Sequence, residues 1–342
     1  MGNRTIYALS DYKGNFESKY DSIPYNSGMD KNLLQKYFLA FGFEVVFIPF
    51  YEVINYSNNF WKNNLVIYTS SEDIGYYYKS FIEDIIYYLE LSNAKVIPEF
   101  KYLKANNNKV FMELLRQQFN NEVCNIKSKV FGCFEEVEKF RNNLGFPLVY
   151  KQAAGAMSNG VGLIENMDEL EHKLKKVSRT SNLLKELWEY GRSIRYKGYI
   201  RESKYRNKFI VQDFVAGLNG DYKVLVFSKK YYILKRDTRR NDFRASGSGT
   251  RNFVKEFPQG LLEFANLCID TLKVPHVSLD IAYNGKSFFL IEFQCLYFGS
   301  YTITYSDFYW LKTEENVFVL TEGKSVLEAE FARSVAEFCF QD

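Results

Sequence analysis

The sequence predicts a mixed α/β protein built from about two or three structural units. Its 342 residues exceed the usual domain size of roughly 100–200 residues. Apolar residues make up 46% of the chain and charged residues 25%, the ordinary balance of a globular protein. Short strand-like and longer helix-like runs alternate in the N-terminal part, as in an open parallel sheet with helices on its faces. These observations exclude a short disulfide-stapled module and a largely disordered chain.

Charge and histidine content narrow the class of function. The formal net charge is +3, so bulk charge does not favour a nucleic-acid partner, and we expect none. The two histidines, His172 and His276, leave little from which a histidine-ligated zinc site can be built. His276 fits either a substrate-orienting or a structural role.

The cysteine and hydropathy patterns predict a cytoplasmic protein. The five cysteines show no Cys-x-x-Cys spacing, which is typical of free thiols in a reducing compartment. Residues 1–14 lack the apolar core of a signal peptide. The most apolar stretch, Phe38–Ile54, contains Glu44 and Glu52 and is too short to span a bilayer. We therefore expect no membrane partner.

Periodicity assigns the elements of the predicted first domain, residues 1–100. Lys31–Phe41 carries apolar residues at helical spacing, and Asp30 is placed to cap its start. A second helix is predicted over Lys79–Leu91, and the predicted strands are Thr5–Leu9, Glu44–Pro49, Leu65–Thr69 and Lys95–Ile97. No G-x-G-x-x-G follows these strands, so the sequence shows no dinucleotide fingerprint.

Two further domains are predicted over residues 101–208 and 209–342. The second contains helices, a strand that ends at Lys151 and a loop of small residues. The third begins with the strand Phe209–Val215 and contains two hairpins, the first with its strands on either side of Ser228 and Lys229. Ser325 and Glu328 have the spacing of a capping box for a terminal helix.

The loop after Lys151 has the character of an anion-binding loop. Gly155 and Gly160 have the G-x-x-x-x-G spacing, but Val161 and Gly162 stand where a Walker loop needs Lys and Ser or Thr. Small residues let backbone N–H groups approach a phosphate closely, and Lys151 adds a compact positive charge. An ordinary glycine-rich turn remains the alternative.

The hairpin His276–Gln294 places oxygen ligands on one face. Its odd positions are apolar, whereas Asp280, Glu292 and Gln294 occupy even positions. The two strands share their faces only if the turn at Gly285 has an odd number of residues or a bulge compensates. Two carboxylates and an amide suit Mg²⁺, which prefers oxygen ligands. A solvated sheet face remains the alternative.

The stretch Arg179–Lys208 has nine basic residues and three acidic ones, with aromatic residues between them. It predicts either a surface that binds an anionic substrate or a nucleic acid, or a solvated helical surface and loop.

Together these motifs resemble the ATP-grasp superfamily in its glutathione-synthetase-like and RimK-like branch. The resemblance spans about Lys101–Gln294 in the family's order and implies an N-terminal Rossmann-like domain before it. Lys109 and Lys151 look like the family's two ATP-contacting lysines, and Val211–Val215 resembles the strand that contacts adenine. The ATP-binding residues that the resemblance implies are Lys109, Lys151, Gly155, Ser158, Asn159, Gly160, Gln212, Asp213, Phe214, Val215, Asp221 and Lys223.

The resemblance also implies a metal and an acceptor site. Asp280, Glu292 and Gln294 match the magnesium ligands, although Gln294 replaces the usual Asn. Lys223 departs from the family's Asp-x-Arg strand. Arg236 and Arg244 look like the catalytic arginines that face the transferring phosphoryl group. The implied substrate-binding residues are Ser246, Gly247, Ser248 and Gly249.

The activity that the resemblance implies is an ATP-dependent carboxylate-amine ligase that acts through an acyl phosphate. Its cofactors would be ATP and Mg²⁺, with two metal ions and with Mn²⁺ as the alternative metal. Its partners would be a small-molecule carboxylate and an amine, anionic or sugar-like in character. A kinase on the same fold and a non-catalytic nucleotide-binding protein are the two alternatives. The sequence leaves the oligomeric state open.

Overall fold

The computed structural model describes residues 4–120, 122–155, 160–238 and 252–341. The chain divides into two compact units. The first consists of residues 1–106 and 218–342, and the second of residues 107–217. Within the described ranges, no helix is long and apolar enough to cross a membrane.

The N-terminal part of the first unit is a four-stranded sheet of order β2-β1-β3-β4, in which each pair of neighbours is parallel. Its elements are β1 (Arg4–Ser10), α1 (Lys31–Ala40), β2 (Phe43–Pro49), a 3-10 helix (Phe50–Asn55), α2 (Asn58–Trp61), β3 (Leu65–Tyr68), α3 (Tyr77–Leu91), β4 (Lys95–Ile97) and α4 (Phe100–Ala105). Asp30 caps α1 by accepting hydrogen bonds from the N–H groups of Asn32 and Leu33. The predicted open parallel sheet is therefore confirmed.

The second unit contains a four-stranded antiparallel sheet of order β5-β8-β6-β7. Its elements are α5 (Lys109–Arg116), β5 (Ser128–Phe131), α6 (Phe134–Glu138), a 3-10 helix (Arg141–Asn143), β6 (Leu148–Gln152), β7 (Val161–Ile164), α7 (Met167–Ser178), α8 (Leu183–Arg195) and β8 (Phe209–Asp213). The sequence assigned β8 to the third domain. In the structure β8 pairs with β5 and β6, because its apolar residues complete the core of this sheet.

The rest of the first unit is built on a larger antiparallel sheet of order β13-β12-β9-β10-β14-β15, with β11 paired to β10. Its elements are β9 (Gly220–Phe227), β10 (Lys230–Asp237), β11 (Asn252–Phe253), α9 (Leu261–Leu272), β12 (His276–Tyr283), β13 (Phe288–Gln294), α10 (Tyr301–Tyr305), β14 (Phe308–Lys312), β15 (Phe318–Glu322) and α11 (Leu327–Gln341). One core cluster joins Phe38 of α1 to Phe331 of α11 and Phe227 of β9. The N-terminal sheet and the large sheet therefore share a core.

The predicted capping box at the start of α11 is wrong. The Ser325 hydroxyl accepts a hydrogen bond from the Tyr232 hydroxyl at 2.7 Å. Glu328 is fully buried and accepts hydrogen bonds from Lys19 Nζ at 2.7 Å and from the Asp30 N–H at 2.9 Å. Packing of α11 against the N-terminal part turns this carboxylate inward, where an unpaired charge is costly and a lysine neutralises it.

His276 is buried in an aromatic cluster with Phe227, Phe298 and Phe331. Its Nδ1 lies 3.3 Å from the Ser334 hydroxyl. Burial lowers the pKa of His276 to about 3. This environment is that of a structural, neutral histidine.

We expect His276 to make the fold sensitive to acid. Its pKa is lower in the folded state than the ordinary value of about 6.5, so its stabilising contribution is complete above pH 6.5 and falls as the pH drops towards about 3. Below pH 6.5 the free energy of unfolding should fall by about 1.4 kcal/mol per pH unit more in the wild type than in His276→Gln. Urea titrations at several pH values measure this difference.

The matched control is His172→Gln, because His172 is exposed on α7 and is the other histidine of the chain. This variant should keep the wild-type pH dependence. Parallel pH profiles for the wild type and His276→Gln would contradict the assignment.

Candidate active site

In the second unit, two lysines lie at the start of the small-residue loop. Asn108 caps α5 by accepting a hydrogen bond from the Phe111 N–H, which fixes Lys109 in the first turn. The Lys109 N–H donates to the Ala153 carbonyl at 2.8 Å, and its Nζ donates to the Gly155 carbonyl at 2.9 Å. Lys151 lies two residues before Ala153, at the end of β6, and both lysines are buried. The predicted lysine pair and loop are therefore neighbours.

The backbone of this loop closes on β6. The Gln152 N–H donates to the Gly160 carbonyl at 2.9 Å. Gly160 has a φ of +72°, and a Cβ there would collide with the Gln152 side chain, so glycine is required. Ser158 and Asn159 lie outside the described residues.

The predicted adenine-contacting strand is the end of β8 and the two residues after it. Gln212 pairs with Val149 of β6, so its side chain lies on the same face of the sheet as Lys151. Gln212 is buried, and its Nε2 has no hydrogen-bond partner among the described residues. Asp213 is exposed, and Phe214 and Val215 are half-buried. A buried amide donor on the face that carries Lys151 suits a ligand rich in hydrogen-bond acceptors.

In the first unit, the predicted metal ligands share one face of the large sheet. Asp280 of β12 lies directly opposite Glu292 of β13, and Ser278 lies opposite Gln294. The connecting loop, residues 284–287, has an even length, but a β-bulge places Ile291 as an extra residue in β13. Gly285 adopts a φ of +89°. The bulge, not an odd-numbered turn, brings the two carboxylates to the same face.

A buried ion network occupies the neighbouring strands of this face. Arg236 of β10 donates through Nε to Asp221 Oδ1 at 2.6 Å and through Nη2 to Asp221 Oδ2 at 2.8 Å. The same Nη2 lies 2.8 Å from Asp280 Oδ2. Lys223 Nζ lies 3.8 Å from Asp280 Oδ1. All four residues are among the sequence-predicted site residues, but no sequence motif indicated that Arg236 links both aspartates.

The electrostatics of the network keep Arg236 charged. Burial lowers the pKa of the guanidinium, but Asp280 and Asp221 outweigh burial and raise the pKa well above its ordinary value. Burial raises the pKa of Asp221 to about 6, although Arg236 opposes this shift. Asp221 is therefore mainly ionised at pH 7, and the pair is a charge-assisted, bidentate one.

An acidic residue that the sequence analysis did not single out lies near Glu292. Burial raises the pKa of Glu72 to about 7, and the charge of Glu292 adds a smaller increase. Its Oε1 accepts a hydrogen bond from the Asn106 side chain at 2.9 Å. No sequence motif surrounds Glu72, so only the fold reveals it. Among the described residues, no group of three or more His, Cys, Asp or Glu side chains could hold a metal ion.

Arg244 and the predicted substrate-binding residues Ser246, Gly247, Ser248 and Gly249 lie outside the described residues. The lysine group belongs to the second unit and the carboxylate face to the first.

No protein-family model and no curated protein sequence matches the chain. Solved structures do match. A Chryseobacterium gregarium RiPP-associated ATP-grasp ligase, in complex with ADP and a leader and core peptide, is 13% identical, with 99% of this chain and 97% of that chain covered and a TM-score of 0.52. The chain has the ATP-grasp fold. The ATP-grasp ligase PsnB, complexed with a phosphomimetic variant of its minimal precursor, Mg and ADP, is 11% identical, with 99% and 100% covered and a TM-score of 0.52.

The ATP-grasp fold predicted from the order of the motifs is therefore confirmed. D-cycloserine synthetase DcsG is also similar, with 12% identity, a TM-score of 0.54 and coverage of 97% of this chain and 99% of that one. At such low identity the likeness extends to the fold, and the roles of individual residues rest on their own geometry.

We expect Arg236 to be critical for stability. Arg236→Met leaves Asp221 and Asp280 without their shared cation, and breaking a buried pair in this way costs about 3–5 kcal/mol. The change in the free energy of unfolding is measured by chemical denaturation, followed through the unfolding transition of the first unit. Lys235→Met is the matched control, because Lys235 is the preceding residue of β10 and its ion pair with Asp237 is partly exposed. It should change stability by less than about 1 kcal/mol. Equal effects of the two substitutions would contradict this role for Arg236.

Proposed function

We propose that this protein is an ATP-dependent carboxylate-amine ligase that forms an acyl phosphate and then an amide bond. The observation that carries the proposal is the face on which Asp280 and Glu292 lie opposite each other beside the charged Arg236, within an ATP-grasp fold. Similar structures include ligases in complex with ADP, and one also contains Mg. These likenesses support the reaction class.

The residues present fit MgATP. Asp280, Glu292 and Gln294 offer the oxygen ligands that Mg²⁺ prefers, and their shared face follows from the strand register. The Gln212 Nε2, which has no hydrogen-bond partner among the described residues, lies on the face that carries Lys151, and this suits the polar atoms of a nucleotide. When bound, MgATP would supply the phosphoryl group and a divalent cation that neutralises its charge.

In the proposed mechanism the protein positions the reactants and neutralises charge. Lys109 and Lys151 would hold phosphate oxygens, and Asp280, Glu292 and Gln294 would hold the metal. A substrate carboxylate oxygen attacks the γ-phosphorus, the bond to ADP breaks, and Arg236 with Arg244 stabilises the negative charge on the transferring group. The amine nitrogen then attacks the acyl carbon, phosphate leaves, and the nitrogen loses a proton to solvent. No protein nucleophile is needed.

The acceptor in this proposal is a small carboxylate of anionic or sugar-like character. The similar ligases include two whose structures contain peptide precursors. A panel of candidate acceptors should therefore include acidic sugars, amino acids and short peptides with acidic side chains.

We expect Lys151→Met to lower turnover by about 10²-fold or more, because it removes a preorganised charge from a partly desolvated phosphate site. Methionine keeps the buried stem, so the fold should persist. The measurement is steady-state ADP release together with the affinity for MgATP.

Lys173→Met is the matched control in the same unit. Lys173 pairs with Glu169 on α7 and lies 2.8 Å from the Leu163 carbonyl, so it has no phosphate to hold in this mechanism. Its turnover should stay within about twofold of the wild type. Unchanged turnover and MgATP affinity in Lys151→Met would remove that residue from the site.

We expect ADP release to require a carboxylate and an amine together. An acyl phosphate is protected from water until the amine arrives, so either substrate alone should give little turnover. Hydroxylamine should replace the amine and trap the activated carboxylate as a hydroxamate, which a colorimetric iron assay detects.

The rival activities give different products. A kinase would release ADP with one hydroxyl acceptor and leave a phosphomonoester that resists hydroxylamine. A non-catalytic nucleotide-binding protein would bind MgATP and release no ADP with any member of the panel. Either result would overturn the ligase and leave the ATP-grasp fold assignment intact.

A further inference from the structure

Helix α8 packs on the second unit through its polar side. Glu189 is buried, and its Oε2 accepts hydrogen bonds from the Tyr199 hydroxyl at 2.9 Å and from the Glu202 N–H at 3.0 Å. Glu186 forms ion pairs with Arg179 at 2.7 Å and Lys204 at 2.8 Å. An ordinary surface helix buries its apolar side and exposes its charges. In helix α8 the acidic residues instead point inward, where Glu189 is buried and Glu186 is paired.

The opposite side of α8 presents large apolar side chains to solvent. Leu184 is 78% exposed, Leu187 67%, Trp188 59% and Ile194 69%. These positions recur at the three- and four-residue spacing of one helical face. Ile200, in the loop after α8, is 88% exposed. We call these five residues the α8 face. Large apolar side chains exposed together in this way mark an interaction site.

Basic residues surround the α8 face. Lys185, Arg195, Lys197 and Arg201 have no ion-pair partner within the part of the chain that the structure describes. Arg195 lies over the Tyr196 ring and Arg201 over the Tyr190 ring, so both guanidinium groups remain charged at the surface. Since the acidic residues of α8 point inward and are paired, the exposed side is apolar and positively charged.

The distribution of these groups argues against a small anion and a second copy as the occupant. Lys185 and Arg195 are separated by ten residues of sequence, about 15 Å along the helix, so their charges do not converge on one phosphate or carboxylate. In a symmetric dimer the same positively charged patch would be present on both copies, so like charges would face each other and repel. An extended anionic surface with an apolar interior fits both features.

We propose that the α8 face binds the surface of an anionic lipid membrane. A basic amphipathic helix with Trp and Leu on its apolar side lies in the membrane interface, with apolar groups at the acyl boundary and cations at the headgroups. Thirteen residues span about 20 Å, so α8 lies on the membrane and does not cross it. The proposal departs from the sequence-based expectation of no membrane partner and does not depend on the proposed ligase activity.

The test is co-sedimentation of the full chain with vesicles of phosphatidylcholine alone and of phosphatidylcholine with 30 mol% phosphatidylserine, the latter fraction being of the order found in anionic leaflets. Binding should require phosphatidylserine and weaken as the salt concentration rises. Leu187→Ser should lower the partition coefficient about tenfold, because it removes one buried apolar side chain. Lys185→Glu should lower it about fivefold or more.

Leu91→Ser is the matched control, because Leu91 of α3 is 66% exposed, close to the value for Leu187, and lies in the other unit. It should bind as the wild type does. Thermal melts establish that each variant is folded.

Three outcomes would overturn the proposal. One is failure of the folded wild-type chain to bind either type of vesicle. The second is equal loss of binding in Leu91→Ser and Leu187→Ser. The third is a dimer in sedimentation velocity that Leu187→Ser dissociates, which would assign the face to a second copy.

Discussion

The candidate site depends on one buried guanidinium. Arg236 holds both oxygens of Asp221 and one oxygen of Asp280, and these three side chains come from three adjacent strands. Carboxylates that lie close together in a partly buried site repel each other. One of them would take up a proton unless a cation lay between them. Because Arg236 stays charged, it offsets the repulsion between Asp280 and the carboxylates beside it. The arrangement of the metal-ligand candidates therefore depends on an arginine three strands away from Glu292.

Much of this face was accessible from the sequence. The alternation of apolar and polar residues in β12 and β13 predicted that Asp280, Glu292 and Gln294 share a face, and they do. The pairing of Arg236 with Asp221 was also accessible. A two-residue turn at Ser228 and Lys229 pairs Phe227 with Lys230 and, continuing along the strands, Asp221 with Arg236. A hairpin register follows from the turn, so local sequence is sufficient for this contact.

Other features could not be predicted from the local sequence. An even-length loop with a bulge at Ile291 puts Asp280 and Glu292 on the same face, as an odd-numbered turn would. Periodicity alone does not distinguish the two connections. The membership of β8 in the second unit's sheet depends on pairing with β5, which lies about eighty residues earlier. Glu328 has the spacing of a capping residue, but the packing of α11 on the N-terminal part gives it Lys19 as a partner instead. In the last two cases a tertiary contact decided between local alternatives.

The charges on the carboxylate face also constrain what can bind there. The face has three carboxyl side chains, Asp221, Asp280 and Glu292, and two cationic ones, Arg236 and Lys223, so its formal charge is close to neutral. A bare divalent ion would leave it positive while competing with Arg236 and Lys223 for Asp280. A divalent ion that arrives with a polyphosphate brings its own negative charge, and the same two cations then attract the ligand instead of opposing it. The face is therefore suited to a metal–nucleotide complex and poorly suited to the metal alone.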